Sequence, residues 1–487
     1  MRELTDRALD TATGHGAAYA DIRIVDRRAQ QLAVKNGNVQ QVGEDTNCGF
    51  GIRVLADGAW GFASSGHLAR EEVDRVAALA VTIAKASASA NTDPVEIGPP
   101  EVHIDRYETP VKLDPFAIPL EDKIETLLAA DKRARAVNGV AICTGRMRCR
   151  REKKTFASTE GSFVEQSIVE TGLGLSVVAV AEGEMQRRSY PNSIDMHQET
   201  GGYEIVQSWD LPGHATQIAE EAVALLAAPP CPSTVTTLIL DGSQLALQVH
   251  ESCGHPIELD RVYGTEAAFA GTSFLTPDKL GGFRYGSEVV NITADATTPG
   301  ALGSFGYDDE GVPAQAVDIV RDGIFVGYLT SRETASRLHR TIPKAPERSN
   351  GCMRASGWNR VPLIRMTNVS LQPGSWTLDD LIADTDDGIY MITNKSWSID
   401  DKRLNFQFGT ELAYEIKGGR LGRMLRNPTY TGMTPEFWGR CDAVCNADHW
   451  RVWGTPNCGK GQPMQVARVA HGTAPARFRD VRVGLMS

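Results

Sequence analysis

The stretch His250-Glu251-Ser252-Cys253-Gly254-His255 places two histidines and a carboxylate within six residues. The nearest familiar pattern is H-E-x-x-H, in which two histidines on one helix face bind zinc and the glutamate acts as general base. Here the second histidine is one position later, and a regular helix would turn it roughly 140° away from the first. The stretch is therefore either a chance cluster or a metal site on a distorted helix.

Two neighbouring residues predict such a distortion. Gly254 permits unusual backbone angles, and Pro256 disfavours the α region for the residue before it, His255. We expect a π-like wide turn, or a helix end, at His255. Either arrangement would bring the second imidazole back towards the first.

The chain is predicted to be an α+β protein of two domains, of which the first covers residues 1–228. Asn36-Gly37 and Asp57-Gly58 are strong signals for β-hairpin turns in this domain. Apolar residues at helical spacing alternate with strand-like runs. The helices expected from that spacing cover residues 2–13, 68–88, 120–137 and 213–228.

A proline-rich stretch, residues 229–235, predicts a linker to the second domain. That domain, residues 236–487, is expected to be strand-rich and to carry the metal-binding helix near its start. A strand over 236–240 precedes this helix, and Ser243 is its expected N-cap. Further along, Thr330-x-x-Glu333 predicts a capping box for another helix.

A third metal ligand is needed, because catalytic zinc commonly takes three protein ligands and leaves one position open. The candidates are the other eight histidines and the cysteines. Cys458 stands out because it lies in a glycine-rich loop near Lys460, which suits a thiolate held close to a cation. Cys253, inside the motif itself, is expected to face the core as a small apolar residue.

A rival zinc site uses a different set of residues. Cys441, Cys445, His449 and Cys458 have spacings that resemble those of structural zinc sites. This arrangement competes for Cys458, lacks a second close cysteine pair and leaves both motif histidines without a role. The roles of Cys441, Cys445 and His449 therefore stay open.

Several separated patches resemble the TldD/PmbA family of zinc metalloproteases, and they occur in the family's order over essentially the whole chain. The H-E-x-x-x-H-x-x-E-x-D signature of the family is matched by residues 250–261. The patches are HESCGHPIELDR (250–261), YGTEAAFAGTSF (263–274), DDEGVPAQ (308–315), RDGIFVGYLTSRETA (321–335), PLIRMTN (362–368), GIY (388–390) and CGKGQP (458–463).

The resemblance implies that His250, His255 and Cys458 bind Zn²⁺ and that Glu251 is the catalytic glutamate. It implies a zinc peptidase that degrades unfolded peptides or trims leader peptides. Because the motif is intact, the chain resembles the catalytic subunit, which pairs with a related subunit that lacks the motif. A homodimer remains an alternative, as do a specialised amide hydrolase or peptide-modifying enzyme for one precursor and a non-catalytic binding subunit.

Other polar residues near the motifs are candidates for supporting roles. Glu258 and Asp260 follow the second histidine and either orient an imidazole or cap the next turn. Arg365, Asn368 and Lys460 are candidates for contacts with the substrate backbone.

Composition excludes several classes of protein. A net charge of −11 over 487 residues argues against a broad nucleic-acid surface. Apolar runs are too short for a membrane span, and charged residues recur within residues 1–7, which is unlike a signal peptide. The nine cysteines, an odd number, indicate a reducing compartment and so a cytoplasmic location.

Overall fold

The computed structural model describes residues 1–193, 196–268 and 271–484 of the chain. Residues 269–270 of the patch 263–274, and residues 485–487 of the predicted second domain, lie outside these ranges. The helices are α1 (Arg2–Gly14), α2 (Arg70–Ala88), α3 (Leu120–Arg135), α4 (Glu204–Trp209), α5 (Leu211–Ala227), α6 (Gly242–Val249), α7 (Leu259–Val262), α8 (Arg332–Thr341), α9 (Leu378–Ala383) and α10 (Thr434–Gly439).

One sheet runs through the N-terminal part of the chain, in the order β3-β2-β1-β5-β6-β4, with β7 and β8 also paired to β6. Helices α3 and α5 pack on one part of it, and α1 and α2 on another. Its strands are β1 (Tyr19–Lys35), β2 (Asn38–Ala56), β3 (Ala59–Ser65), β4 (Ile104–Glu108), β5 (Val140–Ser158), β6 (Phe163–Ala181), β7 (Glu184–Tyr190) and β8 (His197–Thr200).

Both predicted hairpin turns are confirmed. Asn36 and Gly37 have φ of 49° and 79°, and Asp57 and Gly58 have φ of 52° and 75°. Asparagine, aspartate and glycine tolerate this left-handed region, which two-residue hairpin turns require. The four helices predicted for this part correspond to α1, α2, α3 and α5, with ends that agree within two residues.

The C-terminal part is rich in strands, as predicted, and its central strands close into a ring. β16, β9, β23, β19 and β17 pair in this order, and β17 pairs again with β16. The strands are β9 (Thr234–Leu240), β10 (Ile292–Asp295), β11 (Ala316–Arg321), β12 (Ile324–Phe325), β13 (Met353–Arg354), β14 (Leu363–Ile364), β15 (Val369–Leu371), β16 (Asp387–Ile399), β17 (Asn405–Lys417), β18 (Arg420–Leu425), β19 (Thr429–Met433), β20 (Cys441–Val444), β21 (Arg451–Lys460), β22 (Gln465–Thr473) and β23 (Ala476–Val483).

This topology fixes where the metal motif lies. β9 is held between β16 and β23 and leads directly into α6, which ends at the motif. The fold class, a mixed α+β chain with a strand-rich C-terminal part, is as predicted. The domain bounds 1–228, 229–235 and 236–487 remain a prediction.

Two predicted helix caps are wrong. The side chain of Asp241, not Ser243, caps α6 by accepting a hydrogen bond from the Ser243 amide at 2.9 Å. Ser243 therefore lies inside the helix, where its hydroxyl donates to the same carboxylate. α8 begins one residue later than predicted, with Ser331 as its N-cap and Thr334 as the reciprocal partner.

Buried ion pairs join the two halves of the chain. Asp309 contacts Arg23 at 3.2 Å and Lys154 at 2.5 Å, and Glu310 contacts Arg53 at 2.9 Å. We call these five residues the junction cluster. Each charge in it faces an opposite charge from the other half, so the cluster holds the N-terminal sheet against the C-terminal part.

Candidate metal centre

The motif forms the wide turn that its spacing predicts. Residues His250–Gly254 are π-helical, and the His255 amide donates to the His250 carbonyl at 3.2 Å. The two imidazole rings lie 4.9 Å apart and at right angles. Pro256 does not act as expected, because His255 keeps helical angles of −68° and −41°. Its effect is instead that it has no N–H with which to continue the helix.

Close packing supports this turn. A Cβ on Gly254 would lie 2.1 Å from the Met366 sulfur, so glycine is needed for space rather than for unusual backbone angles. The Tyr285 hydroxyl donates to the Ser252 carbonyl at 2.9 Å, which satisfies a backbone group beside the wide turn. Cys253 is buried in the main core, as predicted, and burial raises the pKa of its thiol to about 12.

Cys458 on β21 completes a cluster of three ligands. Its sulfur lies 3.7 Å from Nε2 of His255, and ligand atoms of His250, His255 and Cys458 all lie within 4.8 Å of one another. Tetrahedral zinc at ordinary bond lengths would hold a nitrogen and a sulfur about 3.5 Å apart. The three residues therefore fit zinc in both chemistry and spacing.

The environment of Cys458 favours the thiolate that binds metals. Burial opposes ionisation, but the positive charge of Arg365 and the neighbouring His255 together outweigh it, and the pKa of Cys458 is lowered. Nη2 of Arg365 lies 3.1 Å from the sulfur and 2.6 Å from the Cys458 carbonyl. Arg365 therefore both stabilises the thiolate and positions the strand that carries it.

His471 on β22, which the sequence did not indicate, orients His250. Nδ1 of His471 lies 2.8 Å from the Val369 carbonyl, so it carries the proton and leaves Nε2 as an acceptor. That Nε2 lies 2.8 Å from Nδ1 of His250. His250 must then carry its proton on Nδ1, which leaves its Nε2 lone pair free for a metal.

Glu258 orients His255 in the same way. Its carboxylate lies 3.0 Å from Nδ1 of His255 and is also paired with Lys460 and Arg261. Burial opposes its ionisation, but Lys460 and His255 hold the pKa of Glu258 well below its ordinary value. The other nitrogen of His255 is thus left to face Cys458.

The three residues predicted as candidates for substrate contacts bond to other groups inside the chain. Lys460 is fully buried and bonds both Asp260 oxygens, at 2.7 and 2.8 Å, and the Ile364 carbonyl. Asn368 is also fully buried and bonds Gly303, Asp295 and Ser304. Arg365, at 1% exposure, is held by the Cys458 strand. Asp260 does not contact an imidazole. It bonds Lys460, which follows the predicted ligand Cys458 by two residues.

Glu251 follows His250 directly and interacts electrostatically with its imidazole. It also has a partner that the sequence did not suggest. Its Oε2 is 2.9 Å from Nη1 of Arg403, which lies in the turn between β16 and β17. Arg403 and His471 are each isolated in sequence from any motif. The sequence indicates a possible role for them only through their residue types, a cation and an imidazole in strand-rich segments.

The rival zinc site does not assemble. Cys441 and Cys445 are buried apolar residues in which burial raises the thiol pKa, to about 12 for Cys445. His449 accepts a hydrogen bond from the Leu378 amide at 3.2 Å. Over residues 1–193, 196–268 and 271–484, the group with metal-ligand spacing is His250, His255 and Cys458.

A cavity of about 450 Å³ lies beside the tip of the β21–β22 hairpin. Phe62 of the N-terminal half lines it together with residues of the C-terminal half, including Glu266, Arg360 and Gln465. Gln465 pairs with Lys460, two positions from Cys458. The cavity is therefore next to the hairpin that supplies the third ligand.

This arrangement of two oriented imidazoles, a thiolate and an adjacent carboxylate is typical of hydrolases that use a metal ion. Models described as PmbA/TldA metallopeptidase domain 1, central domain and C-terminal domain match residues 20–84, 113–228 and 233–484. The chain belongs to the PmbA/TldD metallopeptidase family.

Individual relatives agree with this placement. A protein named Metalloprotease from Methanothermobacter thermautotrophicus is 30% identical over 96% of this chain and 95% of its own. A zinc metalloprotease TldD homolog from Saccharolobus solfataricus is 26% identical over 40% of this chain and 41% of its own. The crystal structure of TldE from Thermococcus kodakarensis shares the fold, with a TM-score of 0.74, 17% identity and 99% coverage of both chains.

The described part of the chain contains no helix with the length and apolar character needed to cross a membrane.

Proposed function

We propose that this chain is a zinc-dependent peptidase that hydrolyses unfolded or leader peptides, with Glu251 as general base. The observation that carries the proposal is the buried cluster of His250, His255 and Cys458 beside the Glu251 carboxylate. Each imidazole has its Nδ1 engaged, by His471 or by Glu258, so its Nε2 is available to a metal.

Bound zinc would supply a Lewis acid that polarises the scissile carbonyl and lowers the pKa of a water molecule. Glu251 follows His250 directly and takes the proton of the attacking water. The same carboxylate then donates this proton to the amine nitrogen as the peptide bond breaks. His471 and Glu258 keep the two imidazoles in the tautomer and orientation that the metal needs.

The low exposure of the site favours an extended substrate. The three ligands and Glu251 are each at most 6% exposed, so a folded protein surface could not reach them. The cavity beside the β21–β22 hairpin offers room for side chains of an extended peptide. We propose unfolded peptides as the general substrate, and one precursor peptide as the narrower alternative.

The proposed assembly is a dimer in the cytoplasm. The chain would be the catalytic subunit and would pair with a related subunit that lacks the motif, or with a second copy of itself. Similarity to the structure named TldE supports a partner of the same fold. All nine cysteines are free, which suits a reducing compartment.

The test is hydrolysis of a panel of unstructured peptides by the zinc-loaded chain, with mass spectrometry of the products. We expect the wild type to cleave and Glu251→Gln to be slower by about 10³-fold, with unchanged zinc content. Cleavage of many peptides indicates a general peptidase, and cleavage of few a specialised one. An active Glu251→Gln variant would exclude Glu251 as the base. The panel is run with and without a motif-lacking relative, so that a required partner is not mistaken for inactivity.

A further inference from the structure

The turn that carries Arg403 is held rigidly. The Asp400 carboxylate accepts hydrogen bonds from the amides of Leu404 and Asn405 at 2.8 and 3.1 Å. The Thr434 hydroxyl donates to the Arg403 carbonyl at 3.0 Å. Arg403 itself has a φ of 64°, a left-handed conformation that costs a non-glycine residue about 1–2 kcal/mol. The surrounding contacts therefore hold a strained residue in place.

The Arg403 side chain is directed at the candidate metal centre and is largely unpaired there. Its side chain is 16% exposed and that of Glu251 8%. Among the described residues, its acceptor is Glu251, and its Nε is buried without a partner. A guanidinium has five N–H groups. Arg403 therefore has further N–H groups besides the one that bonds Glu251, and these are available to a group that is not part of the chain.

The reaction creates a group of the required charge at this place. The water oxygen forms a bond to the carbonyl carbon, its proton passes to Glu251, and the C=O π pair moves onto the carbonyl oxygen. When the C–N bond breaks, this pair returns and the nitrogen takes the proton from Glu251. Glu251 is the proposed base for the attacking water, and Arg403 is bonded to Glu251. The remaining N–H groups of Arg403 are therefore available to the oxygen that becomes negative on the attacked carbonyl.

We propose that Arg403 is a catalytic residue that stabilises the developing oxyanion of the peptide carbonyl. This inference rests on the proposed peptidase function. Removing one donor to an oxyanion typically slows turnover by about 10²–10³-fold. A residue that only held Glu251 in position would not discriminate between a tetrahedral anion and a planar carbonyl.

The test uses the zinc-loaded full chain and Arg403→Asn, because asparagine tolerates the left-handed conformation that the turn requires. We expect kcat to fall about 100-fold with KM little changed, and zinc content to match the wild type. The phosphinic analogue of the peptide that the wild type cleaves fastest should bind about 100-fold more weakly. Lys402→Asn, which removes the exposed neighbouring cation, is the matched control. It should change neither kcat nor the affinity for the phosphinic analogue.

The outcomes separate the two proposals. Wild-type hydrolysis with an unchanged kcat in Arg403→Asn overturns the role of Arg403 and leaves the peptidase. A reduced kcat with unchanged affinity for the phosphinic analogue also overturns it, because Arg403 would then act only through Glu251. A zinc-loaded wild type that cleaves no peptide, either alone or with a motif-lacking relative, overturns the proposed function, and this inference with it.

Discussion

The junction cluster and the metal centre both bury charges, but they arrange them differently. In the junction cluster, Asp309 and Glu310 face the cations of the opposite half at 2.5–3.2 Å. In the metal centre, two imidazoles and a thiolate are brought together with their lone pairs towards one another. Supporting groups such as His471 and Glu258 lie behind the imidazoles and do not fill the centre.

This difference separates a structural use of buried charge from a functional one. Opposite charges that meet within the chain need no further ligand. Ligand atoms that converge without neutralising each other are unfavourable until an external cation arrives. The same fold therefore has one charged region complete without a ligand and another that requires one.

The largest expected effect is a loss of stability when the junction cluster loses a charge. Asp309→Ala leaves Arg23 and Lys154 buried without their shared carboxylate. We expect the free energy of unfolding, measured by chemical denaturation, to fall by about 3–5 kcal/mol, with the affinity for zinc unchanged in the folded protein. Asp387→Ala, which breaks an exposed pair with Lys417, is the control and should change stability by less than about 1 kcal/mol. A normal stability in Asp309→Ala would contradict the role of the junction cluster.

The next effect concerns the metal centre alone. His471→Ala removes the acceptor that fixes the tautomer of His250. Loss of such a supporting contact typically lowers metal affinity by about 10–100-fold. We expect a loss of this size in the zinc affinity of His471→Ala, measured by competition with a zinc chelator. The control His67→Ala, at an exposed histidine, should bind zinc as the wild type does. Equal affinities in the two variants would mean that His471 does not orient His250.

The smallest expected effect is a pH dependence in the junction cluster. Burial opposes ionisation of Asp309, but Lys154 and Arg23 lower its pKa below the ordinary value. Its contribution to stability is therefore complete above a pH of about 4, the pKa of an unfolded aspartate, and is lost as pH falls further. The difference in stability between wild type and Asp309→Asn should stay constant from neutral pH to this point and shrink below it. A difference that grew towards low pH would contradict this sign.

The parts of the fold predicted from sequence are those with local causes. Asn36-Gly37 and Asp57-Gly58 form hairpins because these residues accept left-handed angles, whatever surrounds them. The wide turn at His255 followed from a spacing that a regular helix cannot use. The helix caps were wrong because competing acceptors are close in sequence, and Asp241 is a better acceptor for α6 than Ser243.

The rest of the site depends on contacts between distant segments. His471 follows His250 by 221 residues, and Arg403 follows Glu251 by 152. Neither belongs to a motif, and only the pairing of β22 with β21 and the turn between β16 and β17 bring them to the centre. Lys460 and Arg365 were identified as candidates, but their partners within the chain were not predicted, since sequence does not show that a long cation is buried.

The most direct test of the central claim is zinc content, measured by elemental analysis of wild type and Cys458→Ser purified without added metal. Cys48→Ser, at an exposed cysteine, is the control. We predict about one zinc per chain in the wild type and in the control, and loss of zinc in Cys458→Ser. This result would show that the motif that follows α6 and Cys458 on β21, which are distant in sequence, bind the same zinc ion. A wild type that holds no zinc after reconstitution, or a Cys458→Ser variant that retains zinc fully, would contradict it.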